Sequence, residues 1–178
     1  MSKQKLKILR PVVLVGLMGA GKSTVGVRLA KRLNLSFIDT DNKVQDDVGC
    51  SIKEMIKYVG EDFFLQKERE VIKEVLEKEP CIISTGGSAF IDDQNRALIK
   101  SKAISVWLKA DYDVILERVS RRNSRPTLEN VDKEEMIQQL IDERYPIYAE
   151  ADIVVNSDNG SHMTIVDSIV NSLLSMKS

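Results

Sequence analysis

"LVGLMGAGKST", residues 14–24, sets Gly16, Gly21, Lys22 and Ser23 in the spacing G-x-x-x-x-G-K-[ST]. Its glycines let the backbone curl until successive N–H groups point into a hollow of anion size. An apolar stretch, "PVVLVG" (11–16), precedes it, and Gly21–Leu33 follows with apolar residues three and four apart. A strand, a glycine-rich turn and a helix with its positive dipole end at the turn make a phosphate cradle, and the same three parts open an α/β sheet. Gly19, Ala20, Gly21, Lys22, Ser23 and Thr24 are thus the candidate ATP-binding residues. Lys22 is placed to reach the outer phosphates and the Ser23 hydroxyl to ligate Mg²⁺.

Outward from this loop the pattern repeats. "LSFID" (35–39), "CIIST" (81–85), "AISVWL" (103–108) and "DIVVN" (152–156) are short, apolar and rich in β-branched residues, as buried parallel strands are. With the first stretch they make five. Ile52–Lys78, Asp92–Lys100, Asp111–Ser120 and Asp132–Glu150 have helical periodicity, and the longest is expected to split near Gly60. "SRRNSRPTLEN" (120–130), with three arginines and a proline, reads as an exposed mobile loop.

The chain of 178 residues fits one domain, 1–178. Its formal net charge of -1 offers no general attraction to nucleic acid or to an anionic membrane. No apolar run is long enough to span a bilayer and the polar start lacks a secretory core, so a cytoplasmic location is expected. Cys50 and Cys81 lack metal-ligand spacing and read as reduced structural thiols, while His162 lies in a polar stretch that suits a cap or a surface position.

For the acceptor, "FIDTD" offers Asp39 and Asp41 at the end of the second predicted strand, where period-two geometry puts both carboxylates on one side. Beside Mg-ATP, one would orient the metal and its water and the other would take the proton from an acceptor hydroxyl. Asp41 alternatively caps the next helix. The paired glycines of "STGGSAF" (84–90) allow close approach of a ligand or mark an ordinary turn. Arg144 binds the acceptor or forms a solvated ion pair.

"GLMGAGKST", "FIDTD", "GED-F", "TGG", "NRALI", "RPTL" and "RYPIY", in this order, closely resemble shikimate kinase over nearly the whole chain. The resemblance implies a P-loop, nucleoside-monophosphate-kinase-like three-layer α/β fold with a five-stranded parallel sheet in the order 2-3-1-4-5. It also implies a helical substrate-binding segment at about 42–70 and a mobile lid at about 120–130. The implied reaction moves the ATP γ-phosphate to the 3-hydroxyl of shikimate, in aromatic amino-acid biosynthesis, by a monomeric enzyme. Carried over residue by residue, the family pattern puts Lys22 on the phosphates, Ser23 and Asp39 on Mg²⁺, and Asp41 on the shikimate hydroxyls as the base. By the same resemblance Gly86, Gly87 and Arg144 match residues that contact shikimate, the last through its carboxylate, Arg118 matches one that stacks on adenine, and Arg125 matches the lid arginine that closes over the phosphates.

Three positions depart from that pattern. The arginine of G-E-x-x-F-R, which pairs with the one matched by Arg144 on the shikimate carboxylate, is here Leu65. Loss of one charge-assisted partner is worth roughly 1.5 to 3 kcal/mol of binding. The third glycine of TGGG is Ser88, and RPLL reads "RPTL" with Thr127. A kinase for another hydroxylated small molecule, or a nucleotide-binding protein without transfer activity, are the alternative readings of the same residues.

Overall fold

In the computed structural model, residues 7–122, 132–158 and 160–176 are described. Five strands, β1 (Val12–Val15), β2 (Phe37–Asp39), β3 (Ile82–Ser84), β4 (Ile104–Lys109) and β5 (Ile153–Asn156), form one sheet in the order β2-β3-β1-β4-β5. Every pairing is parallel; Val12 lies beside Ile82 on one flank and Ile104 on the other. The central strands β1 and β3 are buried along their whole length, which explains why they read as unbroken apolar runs.

Among the described residues eight helices connect and flank the strands: α1 (Lys22–Leu33), α2 (Thr40–Val48), α3 (Ile52–Tyr58), α4 (Glu61–Leu76), α5 (Asp93–Lys102), α6 (Tyr112–Arg122), α7 (Lys133–Tyr148) and α8 (His162–Ser175). With the strands in this order, the right-handed rule for parallel crossovers sends α1 to one face of the sheet and the connections through α4, α5 and α7 to the other. Contacts between α1 and α8, between α4 and α5, and between α6 and α7 agree with that division, which makes three layers. The expected order of strands is the observed one. The expected break near Gly60 falls between α3 and α4, where Gly60 adopts φ 117° and caps α4.

Three expectations need correction. The second strand stops at Asp39 and α2 begins at Thr40, so alternation along a strand is not what relates Asp39 to Asp41. Asp39 caps this helix, its Oδ1 accepting from the Asn42 N–H, and the capping role proposed for Asp41 belongs to its neighbour. Residues 120–122, assigned to the lid, continue α6 through Arg122; residues 123–131 lie outside the described ones. His162 is exposed beside the Ser161 cap, as expected, and opens α8, a helix that the polar flank concealed.

Two glycines of the first loop are required by its geometry. Gly16 has φ 141°, and a Cβ there would stand 2.8 Å from the Leu108 carbonyl oxygen. Gly21 caps α1 at φ 91°, in the left-handed region. Against this loop packs Trp107 of β4, nearly buried: its Cδ1 lies 3.4 Å from the position of a Cβ on Gly16, and its ring meets that of Tyr145 edge-on at 5.0 Å.

Candidate active site

The carboxyl ends of β1, β2 and β3 open on a cavity of about 170 Å³ lined by residues that include Gly21, Lys22, Ser23, Asp39, Asp41 and Gly86. In an open parallel sheet this is the end at which ligands bind. Lys22 is buried and its Nζ donates to the carbonyl oxygens of Gly16 at 2.7 Å and Leu17 at 2.8 Å, so the loop's own backbone holds the ammonium. Burial lowers its pKa to about 8, although Asp41 and Asp39 both oppose the shift.

Ser23 Oγ donates to Asp39 Oδ2 at 2.7 Å and lies 3.2 Å from Ser84 Oγ at the end of β3. An adjacent hydroxyl and carboxylate form an all-oxygen donor set of the kind that suits Mg²⁺. Among the described residues no group of three or more His, Cys, Asp or Glu side chains is arranged to cage a metal alone. An ion at Ser23 and Asp39 would therefore take its other ligands from phosphate and water, as Mg²⁺ commonly does.

Asp41 sits on the first turn of α2, against the Gly86-Gly87 turn. A Cβ on Gly86 would approach Asp41 Oδ1 to 2.7 Å, and one on Gly87 would come 3.2 Å from an Arg144 guanidinium nitrogen. Bare backbone at this turn is thus what lets Asp41 and Arg144 converge. Burial raises the Asp41 pKa, with the Asp39 charge adding and Lys22 opposing. Tyr148 of α7, fully buried, donates its hydroxyl to the Gly87 carbonyl oxygen at 2.6 Å and also bonds Arg144. The turn and the arginine are held as one unit.

A neighbouring cleft of about 300 Å³ continues from Gly19, Ala20, Gly21 and Thr24 to Arg118 and His162. There the Arg118 guanidinium donates to the carbonyl oxygens of Gly19 and Ser157, at 3.1 and 2.7 Å. The structure therefore brings together Lys22, Ser23, Asp39, Asp41, Gly86 and Gly87, sets Arg144 against the same turn, and puts Arg118 beside the loop. Arg125 and Thr127 lie outside the described residues.

A family model described as shikimate kinase matches residues 18–174. Relatives named shikimate kinase include one from Caulobacter vibrioides, 45% identical over 92% of this chain and 82% of its own. Another, from Rhodopseudomonas palustris, is 48% identical over 92% and 81%. The chain belongs to the shikimate kinase family. Its members are ATP-dependent phosphotransferases that act on a hydroxyl group. A solved shikimate kinase from Acinetobacter baumannii, in complex with shikimate, superposes with a TM-score of 0.88 at 32% identity over 95% of each chain. A gluconokinase from Sinorhizobium meliloti, at 18% identity and a TM-score of 0.63, shares the fold.

Relative to the shikimate kinase pattern, the basic neighbours of Leu65 do not make good the missing arginine. Lys67 Nζ lies 2.7 Å from Glu70, and the Arg69 guanidinium Nε donates to Asp92 at 2.9 Å. Sequence reasoning missed Ser84, Arg122 in the cavity wall, Tyr148 and Glu68. For Glu68 a signal existed, since an acid three residues after Leu65 falls on the helix face whose other members, Phe64, Val71, Ile72 and Val75, are buried.

Proposed function

We propose that this chain transfers the ATP γ-phosphate to the 3-hydroxyl of shikimate. One observation carries the reading: the phosphate loop with Lys22, the Ser23–Asp39 pair, Asp41 and the Gly86-Gly87 turn all line a single cavity. In this scheme the N–H groups of residues 19–24 and the dipole of α1 hold the phosphates, and Lys22 leaves its carbonyl partners to offset charge on the moving phosphoryl. Ser23 and Asp39 hold Mg²⁺, which supplies charge neutralisation across the phosphates when bound.

Asp41 accepts the hydroxyl proton as the hydroxyl oxygen bonds to phosphorus and the bond to the leaving ADP oxygen breaks. Gly86, Gly87 and Arg144 orient the acceptor, Arg144 through the carboxylate, and Tyr148 fixes both. Arg118 borders the adenosine side, and Arg125 follows the family's lid arginine. Among the described residues no helix is long and apolar enough to cross a membrane. We take the enzyme to act as a cytoplasmic monomer, without nucleic-acid or membrane partners.

Coupled ADP release with and without shikimate tests the assignment: release is expected to depend on shikimate. Strong turnover of another polyol with no response to shikimate would overturn it. Leu65→Arg restores the second charge of the carboxylate clamp and is expected to lower KM for shikimate about ten- to a hundredfold, with KM for ATP unchanged. Steady-state kinetics with each substrate varied in turn reads both numbers.

A further inference from the structure

Glu68 takes no part in this scheme, yet it is 1% exposed on the inward face of α4. Among the described residues its Oε1 has no hydrogen-bond partner, and its Oε2 is met only loosely, at 3.4 Å, by the hydroxyl of Ser88, the residue that follows the Gly86-Gly87 turn. A buried carboxylate needs a cation or several donors. One turn back, where a cation would face it, stands Leu65.

The surrounding charges do not compensate. Asp41 on α2 and Asp92 before α5 oppose ionisation of Glu68, while Arg69 favours it only weakly because its guanidinium is bonded to Asp92. Lys43 of α2 is held by Asp47 and Glu74, and Arg96 of α5 by Asp93, Glu150 and two carbonyl oxygens. On α3 the inward residue is Met55, and Lys53, Glu54 and Lys57 are exposed. Burial first, then Asp41, pushes the Glu68 carboxyl up to about 7.

We propose that Glu68 is a positioning residue that serves the acceptor site as a neutral acid, and that its loss of a proton weakens binding of an anionic acceptor. Neutral, it packs against Ser88 behind the glycine turn and adds no charge beside Asp41. Ionised, it sets a second negative charge behind a site that already has one arginine fewer for the carboxylate. This rests on the shikimate reading above.

The test is the pH profile of KM for shikimate at saturating ATP, measured for wild type and Glu68→Gln. In wild type KM is expected to rise about tenfold between roughly pH 6 and 8.5, the size of one like-charge interaction. In Glu68→Gln it stays near the wild-type acid value throughout, and KM for ATP follows the same course in both. Coincident KM profiles with normal turnover overturn the proposal alone; no shikimate-dependent release at any pH rejects the kinase reading and the anionic acceptor with it.

Two further readings guard against a variant that merely misfolds. Leu65→Arg, with Glu68 intact, supplies the absent cation and should flatten the rise; an unaltered rise counts against the proposal. The melting-temperature advantage of Glu68→Gln over wild type should widen as pH climbs from about 4.5 to 7 and then level off, because in that window the folded wild type keeps a proton that the unfolded chain has already lost. A constant gap would mean that Glu68 is ionised over the whole range.

Discussion

Asp41→Asn is expected to leave ATP affinity within about twofold of wild type while lowering kcat by about 10²- to 10⁴-fold, the range for loss of a positioned general base. The change keeps size and shape, which matters because Asp41 Oδ1 stands 2.7 Å from the point where Gly86 would carry a Cβ. What disappears is the capacity to accept a proton. Burial and the neighbouring Asp39 charge already raise the Asp41 pKa, so its carboxylate is a stronger base than one in water. Calorimetric titration with ATP and a coupled turnover assay separate the two effects, and undiminished kcat would remove Asp41 from the chemistry.

Lys22→Met is expected to cost about 10²- to 10³-fold in kcat/KM for ATP, as loss of a preorganised charge at the transferred group does. With its pKa lowered to about 8, the ammonium of the free protein loses its proton as pH rises through that value. Wild-type ATP affinity should then fall by up to about tenfold per pH unit above 8, a limb absent from the variant. Stability moves in the opposite sense. The folded pKa lies below the ordinary 10.5, so the buried cation penalises folding at pH 7, and the penalty fades from pH 8 to 10.5. The variant should therefore gain melting temperature over wild type at pH 7 and lose that gain at high pH, which thermal melts across the range would check.

The fold was legible because each strand carries its own signal. Val12–Val15 and Ile82–Ser84, buried on both faces, can be little else than central strands, and Gly60 interrupts a helical pattern just where the chain turns. Elements with a divided signal were harder. The helix Thr40–Val48 begins with four polar residues, and its cap is a residue already counted as the end of a strand. His162–Ser175 follows a polar flank that hides the Ser161 cap.

The site divides in the same way. Lys22, Ser23 and Asp41 are visible because their chemistry needs those side chains at that spacing. The hydrogen bonds of Tyr148 to Gly87 and of Ser84 to Ser23 each join residues 61 apart in the chain, a relation that no local pattern encodes. Glu68 looks like any acid of a charged helix until burial identifies it.

The indole of Trp107 fills the space beside the first glycine of the phosphate loop, 3.4 Å from where a Cβ would stand, and is the only tryptophan in the chain. The protein thus carries an intrinsic fluorophore beside the loop proposed to hold the nucleotide's phosphates. A ligand that rearranges Gly16 alters the emission of one chromophore alone, so occupancy can be followed optically in unlabelled protein, including variants that no longer turn over.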